Sequence, residues 1–220
     1  MFTTKKDLVF VVLAGVFITN AVVAELIGGK LIQLFGFTFS LGILPWPIVF
    51  ITTDLINEYF GHKGVRKLTL ITAALICYAF VLLFMGMNIP AVSFSPVQDK
   101  EFTQVFGQSM WIIVGSVIAF VVSQLLDVFI FGEFKKRTGD KHIWLRATGS
   151  TMLSQLIDTF IVLGIAFYLP GKITAVQFWE MGSVGYSAKL IIAVLLTPFI
   201  YLGHWGIASF LKKDTIKDLN

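Results

Sequence analysis

Apolar residues in this chain gather in six runs of about 20, the length a helix needs to cross a hydrocarbon core about 30 Å thick. The runs are Leu8–Ile27, Leu41–Phe60, Leu68–Met87, Met110–Phe131, Ala147–Leu169 and Gly185–Leu211. They predict an all-α integral membrane protein, with residues 1–220 forming one six-helix transmembrane bundle. Pro45 and Pro47 stand at the start of the second run, and Pro198 stands inside the sixth. A proline removes a backbone donor and kinks a helix interior, which a membrane bundle tolerates where neighbours satisfy the freed groups. Between the runs, Gly61–Lys67 reads as a short basic loop, and Asn88–Gln108 as a longer segment with Pro90 and Pro96. The segment Gly28–Ser40 alternates Phe35, Phe37 and Phe39 with small residues. That pattern suits either a short hairpin or a stretch lying on the bilayer.

Composition agrees with a membrane class. The chain is 56% hydrophobic and 14% charged, where a soluble domain carries about 25% charged residues. The single cysteine, Cys77, excludes an internal disulfide. Lys5 and Lys6 give the first run a basic start, but its length and the lack of a following small-x-small site make it a span rather than a cleaved signal.

The net charge of +4 reads as a topology signal. Thirteen of the 17 basic residues fall at the N-terminus, in two alternate loops and at the C-terminus: Lys5, Lys6, Lys63, Arg66, Lys67, Lys135, Lys136, Arg137, Lys141, Arg146, Lys212, Lys213 and Lys217. The opposite loops hold Lys30, Lys100 and Lys172, and Lys189 lies within the sixth run. The positive-inside rule then predicts both termini in the cytoplasm. These basic groups are short, separated and beside spans, which argues against a nucleic-acid partner and for membrane lipids.

Ionisable groups deep in a span cost about 2.5–3.5 kcal/mol each, so they face a cavity, pair, or work. Asp54, Asn57 and Glu58 share one helix face at i, i+3, i+4 spacing. Gln124 with Asp127, and Gln155 with Asp158, share faces in the same way. Glu25 ends the first run and Lys189 lies in the same outer half, so these two suit a pair. Asp54, Glu58 and Asp127 fall in the cytoplasmic halves, within reach of Lys63, Arg66, Lys67 and Arg137 as structural salt bridges. Asp158 is nearest the middle. The segment Ser123-Gln124-Leu125-Leu126-Asp127 recurs as Ser154-Gln155-Leu156-Ile157-Asp158 on an adjacent, oppositely directed span. The two glutamines also suit plain helix–helix hydrogen bonds. Trp46, Trp111, Trp144, Trp179 and Trp205 fall near run ends, as interface anchors do.

Enzyme signatures are missing. There is no G-x-S-x-G, no H-E-x-x-H and no Walker A sequence, and three histidines with one cysteine are not spaced as a metal site. An intramembrane dyad of Asp54 and Asp158 has nothing around it in support. The reading is therefore a non-enzyme with no cofactor and no metal.

At Thr53-Asp54-Leu55, Glu58, Gly61 and Arg66-Lys67 the sequence resembles the queuosine precursor transporters, also called the putative vitamin uptake transporter family. The resemblance continues through Gln124, Asp127 and Phe131. It is densest at Ala147-Thr148, Ser150-Thr151, Asp158-Thr159-Phe160 and Ile165-Ala166-Phe167, and ends with Tyr186, Lys189, Pro198 and Tyr201. It implies a multi-pass protein of the cell inner membrane importing 7-cyano-7-deazaguanine, 7-aminomethyl-7-deazaguanine or queuine for tRNA modification. It also implies a bundle similar to the substrate-binding subunits of energy-coupling factor transporters. Oligomeric state, the preferred precursor and any energising partner stay open.

The residues suit such a ligand independently. A carboxylate accepts two N–H donors from one edge of a guanine-like ring, and amides read its carbonyl edge. Asp158 is the first choice for the donor edge. Gln124 and Gln155 are the amide candidates, and Asp127, Lys189, Glu25 and Asn20 form the next circle. Asp54, Asn57, Glu58, Arg66 and Lys67 are read as an inner gating or structural network. The same chemistry suits another vitamin or nucleobase, and a ligand-free membrane scaffold is the rival outside transport.

Overall fold

The computed structural model describes residues 4–28, 30–34, 37–107, 110–139 and 142–215. Helix α1, Lys5–Ile27, is opened by a reciprocal cap: the Thr4 hydroxyl accepts from the Asp7 N–H (3.1 Å) and the Asp7 carboxylate accepts from the Thr4 N–H (3.0 Å). Strands β1, Leu31–Leu34, and β2, Phe37–Ser40, then pair antiparallel with Leu31 opposite Ser40. The open question at Gly28–Ser40 is thus answered by a hairpin, although Gly29, Phe35 and Gly36 lie outside the described residues. The Ser40 hydroxyl donates to the Gly28 carbonyl (2.6 Å), which ties the base of the hairpin to the end of α1.

A 3₁₀ turn, Leu41–Ile43, leads into helix α2, Trp46–Met87. Pro45 and Pro47 sit at its first turn, where no intrahelical donor is needed, so they start the helix rather than kink it. Its 42 residues are broken at Gly61, whose φ of 73° and ψ of 170° lie in a region open to glycine. The break folds the second half beside the first: Val49 and Ile56 share one apolar core with Val65, Leu68, Ile76 and Phe80, together with Phe17 and Ala21 of α1 and Phe120 and Val128 from further along the chain.

The predicted loop Gly61–Lys67 needs correcting. Only Gly61 departs from helix, and residues 62–67 begin the second half of α2, with Lys63, Arg66 and Lys67 exposed on it. A run of charge on the solvated first turn of a helix looks like a loop when only the apolar stretch is counted.

Helix α3, Asp99–Phe106, is short and has no buried residue. Helices α4, Met110–Thr138, and α5, Ile143–Leu163, lie against each other. A π-helical segment, Gly164–Tyr168, continues α5. There a Cβ on Gly115 of α4 would stand 3.2 Å from the Ala166 backbone nitrogen, so the two elements approach to glycine distance. Helix α6, Ala175–Thr215, holds Pro198. It begins ten residues before the predicted run because Gly182, Trp179 and Phe178 pack on Phe160 of α5.

Five of these helices are long and apolar enough to cross a membrane, with the broken α2 counted as one. Their outer faces show Leu70, Ile71, Phe84, Phe129, Ile191 and Leu195 exposed, a surface suited to lipid rather than water. Trp111, Trp144, Trp179 and Trp205 are exposed, whereas Trp46 stacks on Phe50 and meets Phe120.

A candidate transport site along the α4–α5 seam

The polar residues of the spans form three connected levels through the bundle. The middle is set by the duplicated Ser-Gln-Leu-x-Asp segment. The Ser123 hydroxyl donates to Asp158 Oδ1 at 3.1 Å, and the Ser154 hydroxyl donates to Asp127 Oδ1 at 3.1 Å. Each serine bonds the aspartate of the other copy. Two antiparallel helices carrying the same five-residue spacing meet this way about a local two-fold axis.

Toward the β-hairpin end, Asp158 also pairs with Lys189 of α6 at 2.6 Å. Glu25 of α1, 8% exposed, hydrogen-bonds Ser116 and lies within electrostatic reach of Asp158. The expected Glu25–Lys189 pair is therefore replaced by Lys189–Asp158, with Glu25 beside it. Lys189 enters between α5 and α6 because its stem follows the helix while its ammonium turns to the nearest buried carboxylate.

In the middle, Gln124 Nε2 donates to the Thr53 hydroxyl of α2 at 3.1 Å. Gln155 is buried at the corresponding place on α5. Asp127 is ringed by the hydroxyls of Ser150, Thr151 and Ser154. Asp54 of α2 is 3% exposed, and its Oδ1 has no hydrogen-bond partner. It lines a crevice with Phe50, Ile51, Thr148, Thr151, Ala193, Leu196 and Ile200. The crevice holds about 10 Å³, room for a water molecule and not for a purine-sized base.

Toward the end that gathers the N-terminus, Glu58 is the hub. Arg146 of α5, 1% exposed, donates from one terminal nitrogen to Glu58 Oε1 (2.8 Å) and from the other to the Gly139 carbonyl (2.7 Å). Its guanidinium also lies over the Phe131 ring, 5.8 Å from the centroid. Lys135 of α4 stands 3.1 Å from Glu58 Oε2 as a charge pair, while its hydrogen bond goes to the Glu58 carbonyl (3.1 Å). Next to this cluster the Tyr59 hydroxyl meets His204 Nδ1 and donates to the His204 carbonyl, both at 3.0 Å.

The sequence-predicted residues thus divide. Asp158, Lys189, Glu25, Gln124, Gln155, Asp127, Asp54 and Glu58 are brought into one seam. Asn57 is buried beside Asp54, with its Nδ2 unpartnered. Asn20 donates to its own helix at the Val16 carbonyl (2.8 Å). Arg66 and Lys67 are exposed, and Glu58 takes Arg146 and Lys135 where Arg66, Lys67, Lys63 or Arg137 were expected. By hydropathy alone Arg146 reads only as a loop charge. The signal that would have found it is its place with Ser150 and Ser154 on one i, i+4 stripe leading to Asp158. Among the described residues, no group of three metal-ligating side chains occurs.

A polar seam through lipid-length apolar helices defines a multi-pass membrane protein of the transporter kind. The comparisons narrow the class. The family model described as "Putative vitamin uptake transporter" matches residues 40–203, and the chain belongs to that family. A "Probable queuosine precursor transporter" of Bacillus subtilis (strain 168) is 31% identical over 174 residues, covering 78% of this chain and 74% of the relative. One of the same name from Haemophilus influenzae is 31% identical over 167 residues, covering 74% and 66%. The "Queuosine precursor transporter" of Escherichia coli (strain K12) is 28% identical over 181 residues, covering 80% and 75%. These relatives are transporters by name, not enzymes. No solved structure matches the chain.

Proposed function

We propose that this protein imports queuosine precursors, the 7-deazaguanine bases 7-cyano-7-deazaguanine, 7-aminomethyl-7-deazaguanine or queuine, across the cell inner membrane. The names of the three relatives support the substrate class. The observation that carries the site is Asp158, a carboxylate in the last turns of α5, within the span that the π-helical segment continues, and bonded to Ser123 and Lys189. Such a group is costly in a span, so it faces a cavity, pairs or works, and the Lys189 pair keeps this one charged for a ligand.

Asp158 takes the two N–H donors of the base edge, displacing Ser123 and Lys189, whose donors then serve the ring acceptors. Gln124 and Gln155, on either side of the local two-fold, read the carbonyl edge. Glu25 accepts the cationic substituent of an aminomethyl precursor.

The two halves of α2 are two crossings, which makes six, and the basic residues put both termini in the cytoplasm. A six-crossing bundle of this kind is similar to the binding subunits of energy-coupling factor transporters. The small crevice at Asp54 belongs to a closed arrangement. Release to the cytoplasm opens the contacts of Glu58 with Arg146 and Lys135.

The test is uptake in cells unable to make the precursors, with queuosine in tRNA as the readout and membrane levels checked. Wild type restores queuosine; Asp158→Asn, present at equal level, does not. Equal restoration by both removes Asp158 from the site. No restoration by a wild-type protein present in the membrane, with any of the three bases, defeats the substrate reading.

A further inference from the structure

Among the described residues, two buried carboxylates have no ion-pair partner. Asp54 and Asp127 are 3% and 4% exposed. They lie close enough to repel each other, and Asp54 also senses Glu58. Thr151 links them, since it lines the Asp54 crevice and turns its hydroxyl to Asp127.

The nearby cations are engaged elsewhere. Arg146 of α5 and Lys135 of α4 form their ion pairs with Glu58, and Lys189 of α6 forms its pair with Asp158. The α6 residues on the crevice, Ala193, Leu196 and Ile200, carry no charge. The ionisable groups of α1 stand at its ends: Lys5, Lys6 and Asp7 at one, Glu25 at the other. Hydroxyl groups of Ser150, Thr151 and Ser154 surround Asp127, and Thr148 and Thr151 line the crevice at Asp54, with the Asn57 amide one helical turn along. One oxygen, Asp54 Oδ1, is buried, unpartnered and on the crevice wall.

Two buried carboxylates with hydroxyl and amide neighbours but no ion-pair partner among the described residues are stabilised by a positive charge between them. Among the described residues no third metal-ligating side chain stands with them, and a proton is the cation that two neighbouring carboxylates share without further ligands.

We propose that Asp54 and Asp127 share a proton that is carried inward with each substrate molecule, so that import is driven by the proton gradient. This rests on the transport reading above and adds its energy source. The proton reaches the pair from the outer side when the crevice opens, and hydroxyl groups relay it between the two acids. It leaves by way of Glu58, one helical turn from Asp54 on the same face, when Glu58 parts from Arg146. One proton is bound outside and one released inside per cycle, with no bond made or broken in the substrate.

The test uses the purified full chain in proteoliposomes with labelled 7-cyano-7-deazaguanine, a neutral base. Counterflow exchange without any gradient measures translocation alone. With acid outside, the wild type is expected to accumulate the base at least fivefold, a protonophore to abolish this, and an inward sodium gradient to give none. Asp54→Asn is expected to lose the accumulation while still exchanging.

To keep the test independent of how Asp54→Asn folds, a second measurement uses the wild type only. A pH dye inside the vesicles should report acidification when base is added outside. Accumulation by Asp54→Asn equal to wild type, sodium-driven accumulation, or no acidification during uptake overturns the proposal. Absence of wild-type counterflow overturns the transport reading and the proposal with it.

Discussion

The Ser154 hydroxyl meets the Asp127 carboxylate at 3.1 Å, and this contact is the mirror in sequence of Ser123 on Asp158 at the same distance. The two bonds cross-link α4 and α5 at the level where neither backbone can offer a donor. They hold both aspartates in fixed orientation, one facing α6 and the other facing α2. The symmetry then ends: Asp158 has Lys189, and Asp127 is met by the hydroxyl groups of Ser150, Thr151 and Ser154. One repeated segment has thereby produced two acids with different duties.

Lys189→Met should expose this difference. Asp158 would keep Ser123 and lose its cation. Both partners are partly exposed, at 31% and 15% for the side chains, so the cost is nearer about 1–2 kcal/mol than the larger loss expected when a fully buried pair is broken. Thermal unfolding in detergent should show a lower midpoint. Adding Asp158→Asn to Lys189→Met should recover part of it, while uptake stays at background.

Glu58→Gln addresses the opposite end. Arg146 would retain the Gly139 carbonyl but lose its carboxylate at 1% exposure. A loss of about 3 kcal/mol is expected. Arg146→Lys should cost nearly as much, because an ammonium cannot span the Glu58 carboxylate and the Gly139 carbonyl as the fork of a guanidinium does. Midpoints of the two variants against wild type decide this.

At Gly115 the test is steric. A leucine there would meet the Ala166 nitrogen and the Ile165 side chain, and overpacking of this kind costs about 1–3 kcal/mol. Gly132→Ala, on the same helix with nothing within 4 Å of a new Cβ, should be neutral or raise the midpoint slightly. The pair of variants separates helix propensity from contact.

Gly61→Ala should be harmful although nothing crowds a Cβ there. The cost is backbone: a positive φ with extended ψ excludes L side chains by about 1–3 kcal/mol. A lower yield of folded protein in the membrane, with Gly64→Ala as the tolerated neighbour, is the expected result.

Much of the helical pattern was legible. The apolar runs match helices because about 20 apolar residues have no other stable use in a bilayer. Ends were less legible. Residues 62–67 and 175–184 are helical but polar or mixed, and hydropathy alone does not see a helix that emerges from lipid.

The pairing of charges was legible in kind and not in partner. Depth along a helix placed Glu25 near Lys189, but rotation about the helix axis decides contact, and that rotation turned Lys189 to Asp158. Arg146 was hidden for a related reason. A positive charge beside a span usually stays in water, and this one is drawn inward by Glu58 and the Phe131 ring. The π-helical segment Gly164–Tyr168 had no visible signal in the sequence.

The break at Gly61 also bears on how the protein is made. As an unbroken rod the 42 residues of α2 would be about 63 Å long, twice the thickness of the hydrocarbon core. A nascent chain with that rod would leave half its apolar surface in water. With one glycine between them, the two halves can enter the bilayer together as a paired hairpin, Val49 and Ile56 against Val65 and Ile76. Each half then covers the other before the later helices emerge from the ribosome.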